Sequence, residues 1–182
     1  SELLGSNPFD RVKRIPEPPS TTHQPYTETE VKQVTEAITH QEVKVTALLV
    51  LRCFLRPAEI ARLRVGDIDL ANQRIRVRAE VSKSKKAAWV WMPDPMADHL
   101  REYLADKQPE DRLITRSLSA IGWRFRRVLN RLGFTARHTL YGLKHTGACL
   151  LYRATKDLKL VQDQCRHYSS HITDIYLRGL NA

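Results

Sequence analysis

Residues 55–63 read LRPAEIARL, and residues 66–70, a little further along, read GDIDL. Pro57 suits the first position of a helix, because a proline lacks the N–H that would have no partner there and its φ angle is already helical. Ile60 and Leu63 follow at helical spacing and predict one buried face. This stretch therefore predicts a helix that restarts at Pro57 after a break in the chain.

The chain changes its hydrophobic period beyond this helix. Residues 67–72 have the composition of a turn. In residues 73–92, apolar side chains then alternate with arginine or tryptophan, first over residues 74–78 and again over residues 89–91. Alternation of this kind predicts two half-buried strands, joined here by the polar segment 82–86.

Most of the remaining sequence predicts helices. Thr27 and Glu30 have the spacing of a capping box, and a more apolar helix over about 43–54 is expected to be buried. After the strands, helical periodicity returns in segments 96–106, 117–132, 139–153 and 157–165, and in a short segment around Tyr176. Gly133 is expected to end one of these helices and Asp157 to begin another. The predicted fold class is mainly α with a small antiparallel β-sheet (α+β).

Residues 1–26 differ from the rest of the chain. They have little apolar periodicity and contain five prolines: Pro8, Pro16, Pro18, Pro19 and Pro25. Proline does not fit helix interiors or central strands, so we predict a Pro-rich linker or arm over residues 1–26. Residues 27–182 are then expected to form one compact domain.

The chain is strongly basic. Its 182 residues include 30 lysines and arginines against 20 acidic residues, which gives a formal charge of +10, and the isoelectric point is near 9.8. Such an excess indicates a polyanionic partner, with nucleic acid first. Cys53, Cys149 and Cys165 are too few and too scattered for a disulfide framework, which predicts buried thiols in a reducing cytosol. No run of apolar residues approaches the roughly 20 needed to span a bilayer, so no membrane partner is expected.

Two further segments contain residues that carry chemistry. Residues 141–147 read YGLKHTG, and residues 165–176 read CRHYSSHITDIY, where Tyr176 follows His167 by nine positions. Each pattern is weak alone; an arginine three residues before a glutamate, for example, is an ordinary pair on any helix. The specific signal is the order of four segments: the arginine segment at 55–70, the basic hairpin and these two.

In that order and spacing, the four segments resemble the tyrosine recombinase (phage integrase) family. The resemblance implies that Tyr176 is the nucleophile, that Arg56 is the first catalytic arginine and that His167 is another group contacting the phosphate. It places the catalytic lysine at the hairpin tip, where Lys83 is the first candidate and Lys85 the other.

The sequence departs from the family pattern at three positions. The family has a His-x-x-Arg-His box where this chain has residues 141–145, so Tyr141 stands for a histidine and Lys144 for the second catalytic arginine. The usual Gly-His pair has become Arg166-His167. Lysine keeps the positive charge of arginine but lacks its two-pronged donor geometry, so the exchange at Lys144 is not neutral.

The resemblance also implies a reaction. Tyr176 would attack a phosphodiester of double-stranded DNA to give a 3′-phosphotyrosine, and strand exchange and religation would complete site-specific recombination or the integration of a mobile element. Fixed cations would stabilise the developing charge, so no metal or other cofactor is expected. The family further implies a homotetramer on DNA, or a monomer for the isolated domain, in the bacterial cytoplasm. The resemblance further leads us to expect that the N-terminal core-binding domain of such enzymes is absent from this chain.

Other functions fit parts of the sequence. A protein with the same fold and a degraded site would bind DNA without cutting it. A magnesium-dependent nuclease and a zinc site are weaker alternatives. The candidate magnesium ligands have a simpler role in supporting a turn and an arginine, and the candidate zinc ligands lack a fourth member. These two candidate metal sets are Glu59, Asp67 and Asp69 for magnesium, and Cys165, His167 and His171 for zinc.

A basic stripe lies on the predicted helix over 117–132. Its arginines recur at helical spacing, opposite an apolar stripe formed by Ile121, Phe125, Val128 and Leu132. Together with the hairpin lysines, the stripe predicts a DNA-binding surface that consists of Arg124, Arg127, Arg131, Lys85 and Lys86.

Overall fold

The computed structural model describes residues 23–82 and 85–166. Within these residues the helices are α1 (Glu28–Ala37), α2 (Gln41–Cys53), α3 (Pro57–Ile60), α4 (Asp94–Leu104), α5 (Leu118–Arg131), α6 (Leu140–Thr155) and α7 (Leu158–Cys165). The strands are β1 (Ile68–Asp69), β2 (Arg74–Val77) and β3 (Ala88–Trp91). They form one antiparallel sheet in the order β1-β2-β3, which confirms the predicted α+β class.

Helix α2 lies at the centre of the core and packs against α1, α3, α4, α5 and α6. Eight of its thirteen residues are apolar, and Val45, Ala47, Leu49 and Val50 are completely buried. A helix that packs against five neighbouring helices needs this high apolar content, because its contact faces would otherwise bury polar groups. The predicted burial of this helix is therefore confirmed.

Helix α6 approaches α2 unusually closely, at a glycine. A β-carbon built on Gly147 would lie 1.9 Å from the carbonyl oxygen of Leu51, so only glycine fits at this crossing. Lys144 precedes Gly147 by three residues and so lies on the same side of α6, about one turn away. The crossing therefore fixes Lys144 near the C-terminal end of α2, where Arg56 begins the next helix.

Local signals in the sequence are confirmed at three helix ends. Thr27 and Glu30 form a capping box, in which the Thr27 backbone N–H donates to the Glu30 carboxylate at 2.7 Å. Gly133 follows α5 with a φ of 78°, a left-handed conformation that favours glycine. Asp157 caps α7 by accepting a hydrogen bond from the backbone N–H of Leu160 at 2.9 Å.

The structure differs from the predictions in two local features. Residues 67–72 do not form only a turn, because Ile68 pairs with Ile75 and adds a third strand to the sheet. The predicted apolar stripe of α5 is wrong at Leu132, which is 37% exposed. Helix α5 ends at Arg131, so Leu132 leaves the helical path, and Leu129 is buried instead.

The last residues of the predicted arm contact the domain. The Gln24 backbone N–H donates to the carbonyl of Arg137 at 2.9 Å. Tyr26 is 5% exposed, and its hydroxyl donates to the carbonyl of Thr139. Residues 23–26 therefore pack beside the start of α6, while residues 1–22 lie outside the described residues.

Cys53, Cys149 and Cys165 are buried, as predicted, and within the described residues they form no disulfide bond. Among residues 23–82 and 85–166, no helix combines the length and the apolar composition that crossing a membrane requires.

Candidate active site

The loop between α2 and α3 holds Arg56 in a fixed geometry. Arg56 is the residue before α3, and Pro57 occupies the first helical position. The Glu59 carboxylate folds back on this turn: it accepts a hydrogen bond from the Arg56 backbone N–H at 2.8 Å and one from the Arg56 guanidinium at 3.1 Å. The predicted support of Arg56 by Glu59 is therefore present.

A second guanidinium reaches the same carboxylate from the far end of the sequence. Nη2 of Arg166 lies 2.7 Å from Oε2 of Glu59, and the two side chains are 11% and 3% exposed. Arg166 follows α7, whose side chains Val161 and Cys165 pack in a small apolar cluster with Phe54. This packing brings the end of α7 against the start of α3.

The sheet holds the end of α7 from the other side. The side-chain amide of Gln164 donates to the carbonyl of Trp91 at 2.7 Å and accepts from the Trp91 backbone N–H at 3.4 Å. Gln164 thus satisfies backbone groups on the edge strand β3 that no neighbouring strand would satisfy. The segment that carries Arg166 is therefore fixed between α6 and the sheet.

Lys144 completes the cluster from α6 and is 1% exposed. The pKa of Lys144 is lowered to about 8. Burial is the largest cause, the positive charge of Arg56 is the next, and the positive charge of Arg166 acts in the same direction. The Glu59 carboxylate partly opposes this shift. The ammonium of Lys144 therefore shares one buried region with both guanidinium groups.

Glu59 is ionised in this environment. Burial alone would raise the pKa of its carboxyl, but the charge and hydrogen bond of Arg166, together with the backbone and charge of Arg56, lower it below its usual value. The cluster then contains three cations (Arg56, Lys144 and Arg166) and one carboxylate, a net charge of +2. A buried excess of this size is suited to binding an oxyanion such as a phosphate.

The structure brings together two of the predicted catalytic residues, Arg56 and Lys144. Tyr141 lies one turn before Lys144 on α6, is 39% exposed and stacks on the ring of His23 with 5.2 Å between centroids. Three other predicted site residues, Lys83, His167 and Tyr176, lie outside the described residues.

The hairpin lysines lie between β2 and β3. Lys85 and Lys86 are both exposed, and Lys85 has a φ of 58°. A left-handed residue is common in the loop of a hairpin, where the chain must reverse. Both ammonium groups are accessible to a partner.

The basic stripe of α5 borders a cleft of about 340 Å³ between α5 and the start of α2. Arg127 and Arg131 are exposed, whereas Arg124 is half-buried. Within the described part of the chain, Nε of Arg124 and Nδ1 of His40 have no hydrogen-bond partner. The Arg127 guanidinium lies 4.8 Å from the ring centroid of the exposed Trp123. This surface therefore offers both cations and an aromatic face.

The carboxylates of the magnesium alternative have other partners. Asp67 accepts from the Arg64 backbone N–H at 2.8 Å, and Asp69 accepts from Asn72 and Arg74. No three histidine, cysteine or acidic side chains converge as metal ligands within residues 23–82 and 85–166. In the zinc alternative, His167 and His171 lie outside that part of the chain.

Arg166 is the residue whose part in the cluster the sequence did not predict. The sequence signal that could have indicated this role was a positive charge at a position where the family pattern has glycine. A charged side chain immediately after an amphipathic helix is usually solvated, and only the fold shows that this one is buried against Glu59.

Comparison with known proteins agrees with this architecture. Tyrosine recombinase XerA of Saccharolobus solfataricus is 28% identical over 149 residues, which cover 82% of this chain and 50% of that protein. Tyrosine recombinase XerS of Streptococcus uberis is 29% identical over 160 residues, which cover 78% of this chain and 42% of that protein. The chain thus spans about half the length of these relatives.

Solved structures have the same fold. A crystal structure of XerA recombinase matches with a TM-score of 0.72 at 24% identity, covering 85% of this chain and 60% of that one. The Tn1549 transposon integrase in complex with a circular intermediate DNA matches with a TM-score of 0.73 at 16% identity, covering 94% and 65%. Residues 25–181 match the phage integrase family. Because that match extends over most of the sequence, we conclude that the chain belongs to the phage integrase family.

Proposed function

We propose that this chain is the catalytic domain of a site-specific DNA recombinase. The Tyr176 hydroxyl attacks a phosphodiester of double-stranded DNA and forms a 3′-phosphotyrosine, and strand exchange and religation follow. The observation that carries this proposal is the buried cluster of Arg56, Lys144 and Arg166 around Glu59, with its net charge of +2. The named relatives, which are tyrosine recombinases, support it.

The chemistry explains why such a cluster is needed. Attack on a phosphodiester places extra negative charge on the non-bridging oxygens, and a tyrosine does nothing to stabilise that charge. Arg56 offers paired N–H donors, Lys144 an ammonium and His167 a further donor. Lys83 at the hairpin tip, or Lys85 in its place, gives a proton to the leaving 5′-oxygen. No metal or other cofactor takes part.

We infer that the partner is DNA, contacted by the stripe of Arg124, Arg127 and Arg131 and by the hairpin lysines. The formal charge of +10 supports this inference, as does the Tn1549 integrase, which was determined with DNA. Recombination exchanges two pairs of strands, so we propose that the protein acts as a homotetramer on DNA. The isolated domain would be a monomer. We propose that the reaction takes place in the bacterial cytoplasm.

Covalent capture tests the proposal without knowledge of the target sequence. The complete protein is incubated with a library of duplexes that carry a nick flanked by random sequence. Cleavage close to the nick releases a short fragment, so religation fails and the protein stays attached to the DNA. Attached DNA is isolated under denaturing conditions and sequenced, with Tyr176→Phe as the control.

We expect one enriched sequence with the parent protein and none with Tyr176→Phe. Tyr176→Phe should keep nearly the full affinity for DNA, because a single hydroxyl adds little to binding through the phosphates. Binding without covalent attachment by the parent protein would contradict recombination and would support the non-catalytic DNA-binding alternative.

A further inference from the structure

Arg166 has hydrogen-bonding capacity that the described residues do not use. Its side chain is 11% exposed and its Nη2 pairs with Glu59 at 2.7 Å. Its Nε and Nη1 are both buried, and neither has a hydrogen-bond partner among residues 23–82 and 85–166. Buried polar atoms in native proteins are nearly always satisfied, so an unsatisfied pair calls for an explanation. A bound anion would explain the unsatisfied atoms and would also match the positive charge of the cluster.

Glu59 cannot be the whole reason for burying Arg166. The oxygen Oε1 already accepts from the Arg56 guanidinium, and Oε2 already accepts from the Arg56 backbone N–H. One carboxylate therefore faces Arg56, Arg166 and the buried Lys144. Within the part of the chain that the structure describes, two positive charges remain without a carboxylate partner, and burying charge in this state is costly unless a ligand compensates it.

The backbone at Arg166 has a conformation that would suit glycine better than arginine. Arg166 has a φ of 54°, in the left-handed region that favours glycine at the end of a helix. An arginine there is conformationally less favourable than a glycine. The Gln164 contacts with Trp91 and the packing of Cys165 hold this unfavourable residue in a defined position.

We propose that Arg166 is a further catalytic residue, whose Nε and Nη1 groups donate to non-bridging oxygens of the scissile phosphate beside Lys144. The inference rests on the proposed function. When the oxygen of Tyr176 bonds to phosphorus, the bond from phosphorus to the 5′-oxygen breaks and that oxygen takes a proton. Arg166 gives and accepts no proton; it stabilises the added charge on the phosphate. Lys144, an ammonium without a planar donor set, is thus complemented by a guanidinium from the end of α7.

The test compares covalent attachment by variants on the DNA site recovered with the parent protein. Arg166→Gly removes the guanidinium and suits the left-handed backbone, and Arg166→Gln keeps much of the side-chain size without the charge. We expect both to attach about 10²- to 10³-fold more slowly than the parent, the loss typical for one donor to a developing oxyanion. Arg101→Gln is the matched control, because Arg101 lies on α4, exposed and paired with Asp98.

Two readouts separate phosphate contact from a structural role. In Arg166→Gly, the additional change Lys144→Arg should recover at least about tenfold of the rate, because it returns a guanidinium to the site. A methylphosphonate at the scissile position, which lacks the negative charge, should bring the ratio of parent to Arg166→Gly rates close to one. Thermal unfolding and circular dichroism of each variant report whether the fold is intact.

The outcomes are distinguishable. If the parent protein forms no covalent complex, the proposed function fails and this inference fails with it. If the parent reacts and both Arg166 variants react at the parental rate, only the role of Arg166 is wrong. Arg166→Gly could instead attach slowly and show the same ratio of parent to variant rates on methylphosphonate DNA as on ordinary DNA. Arg166 would then only support Glu59, and this result would likewise overturn the inference.

Discussion

Gly147 lies directly against the carbonyl oxygen of Leu51, which a β-carbon at this position would approach to 1.9 Å. The contact joins α6 to α2 and so positions Lys144 beside Arg56. The neighbouring atom belongs to the backbone of a buried helix, so it cannot move away as a flexible side chain could. We therefore expect this contact to affect both the stability of the core and the geometry of the candidate site.

We therefore expect Gly147→Ala to destabilise the protein strongly. Overpacking a core typically costs about 1–3 kcal/mol, and a clash with backbone should reach the upper end of that range or exceed it. Gly122→Ala is the matched control, because nothing lies within 4 Å of a β-carbon there; it should stabilise α5 by about 0.5–1 kcal/mol. Denaturant unfolding measures both, and equal stabilities would show that the close crossing does not exist.

Lys144 should make cleavage sensitive to alkaline pH. Its pKa is lowered to about 8 by burial and by the charge of Arg56. The ammonium that is proposed to contact the phosphate is thus lost as the pH rises through about 8, and the cleavage rate should fall there. Lys144→Arg stays protonated far above this range, so its fall should move to higher pH.

The pH profile of covalent attachment by the parent protein and Lys144→Arg checks this expectation. Below about pH 8, Lys144→Ala should attach about 10²- to 10³-fold more slowly than the parent protein, with little change in folding, and this difference should narrow as the pH rises through about 8. Identical alkaline limbs for the parent protein and Lys144→Arg would show that Lys144 does not act as a cation in the reaction.

The stripe of Arg124, Arg127 and Arg131 should contribute to the salt dependence of DNA binding. Each neutralised phosphate adds about 0.9 to the magnitude of the log–log slope. Replacing all three arginines with glutamine should therefore flatten the slope in proportion to the number of phosphates that these arginines neutralise. DNA-binding titrations at several salt concentrations measure this slope, with Arg101→Gln as the control. An unchanged slope would show that the three arginines face solvent and do not contact DNA.

Cleavage should continue in EDTA, because Arg56, Lys144 and His167 are proposed to do what a metal would do. The comparison is the yield of covalent complex with and without the chelator. Activity that disappears in EDTA and returns with magnesium would favour the nuclease alternative at Glu59, Asp67 and Asp69.

Much of the fold follows from local signals in the sequence. Pro57 after Arg56, the pair Thr27 and Glu30, and Asp157 each determine a helix start through hydrogen bonds that close within three residues. Interactions of this kind depend on neighbours in the chain, so the sequence contains the information needed to predict them. The high apolar content of residues 43–54 likewise predicted that this helix is buried.

Other features depend on contacts between distant residues. Arg166 and Glu59 are 107 residues apart, and their pairing requires α7, α6 and β3 to be in place first. Strand β1 has only two residues, and it forms because Ile68 meets Ile75, not because of its own propensity. Leu132 has the spacing of a buried residue, but α5 ends one residue before it. None of these outcomes can be derived from spacing alone.

The most direct test of the central claim identifies the amino acid that carries the DNA. The trapped complex is digested with protease and nuclease, and the modified peptide is sequenced by mass spectrometry. We predict a nucleotide attached through its 3′-phosphate to Tyr176, with a free 5′-hydroxyl on the released fragment. An adduct on another residue, or a linkage through a 5′-phosphate, would contradict the account.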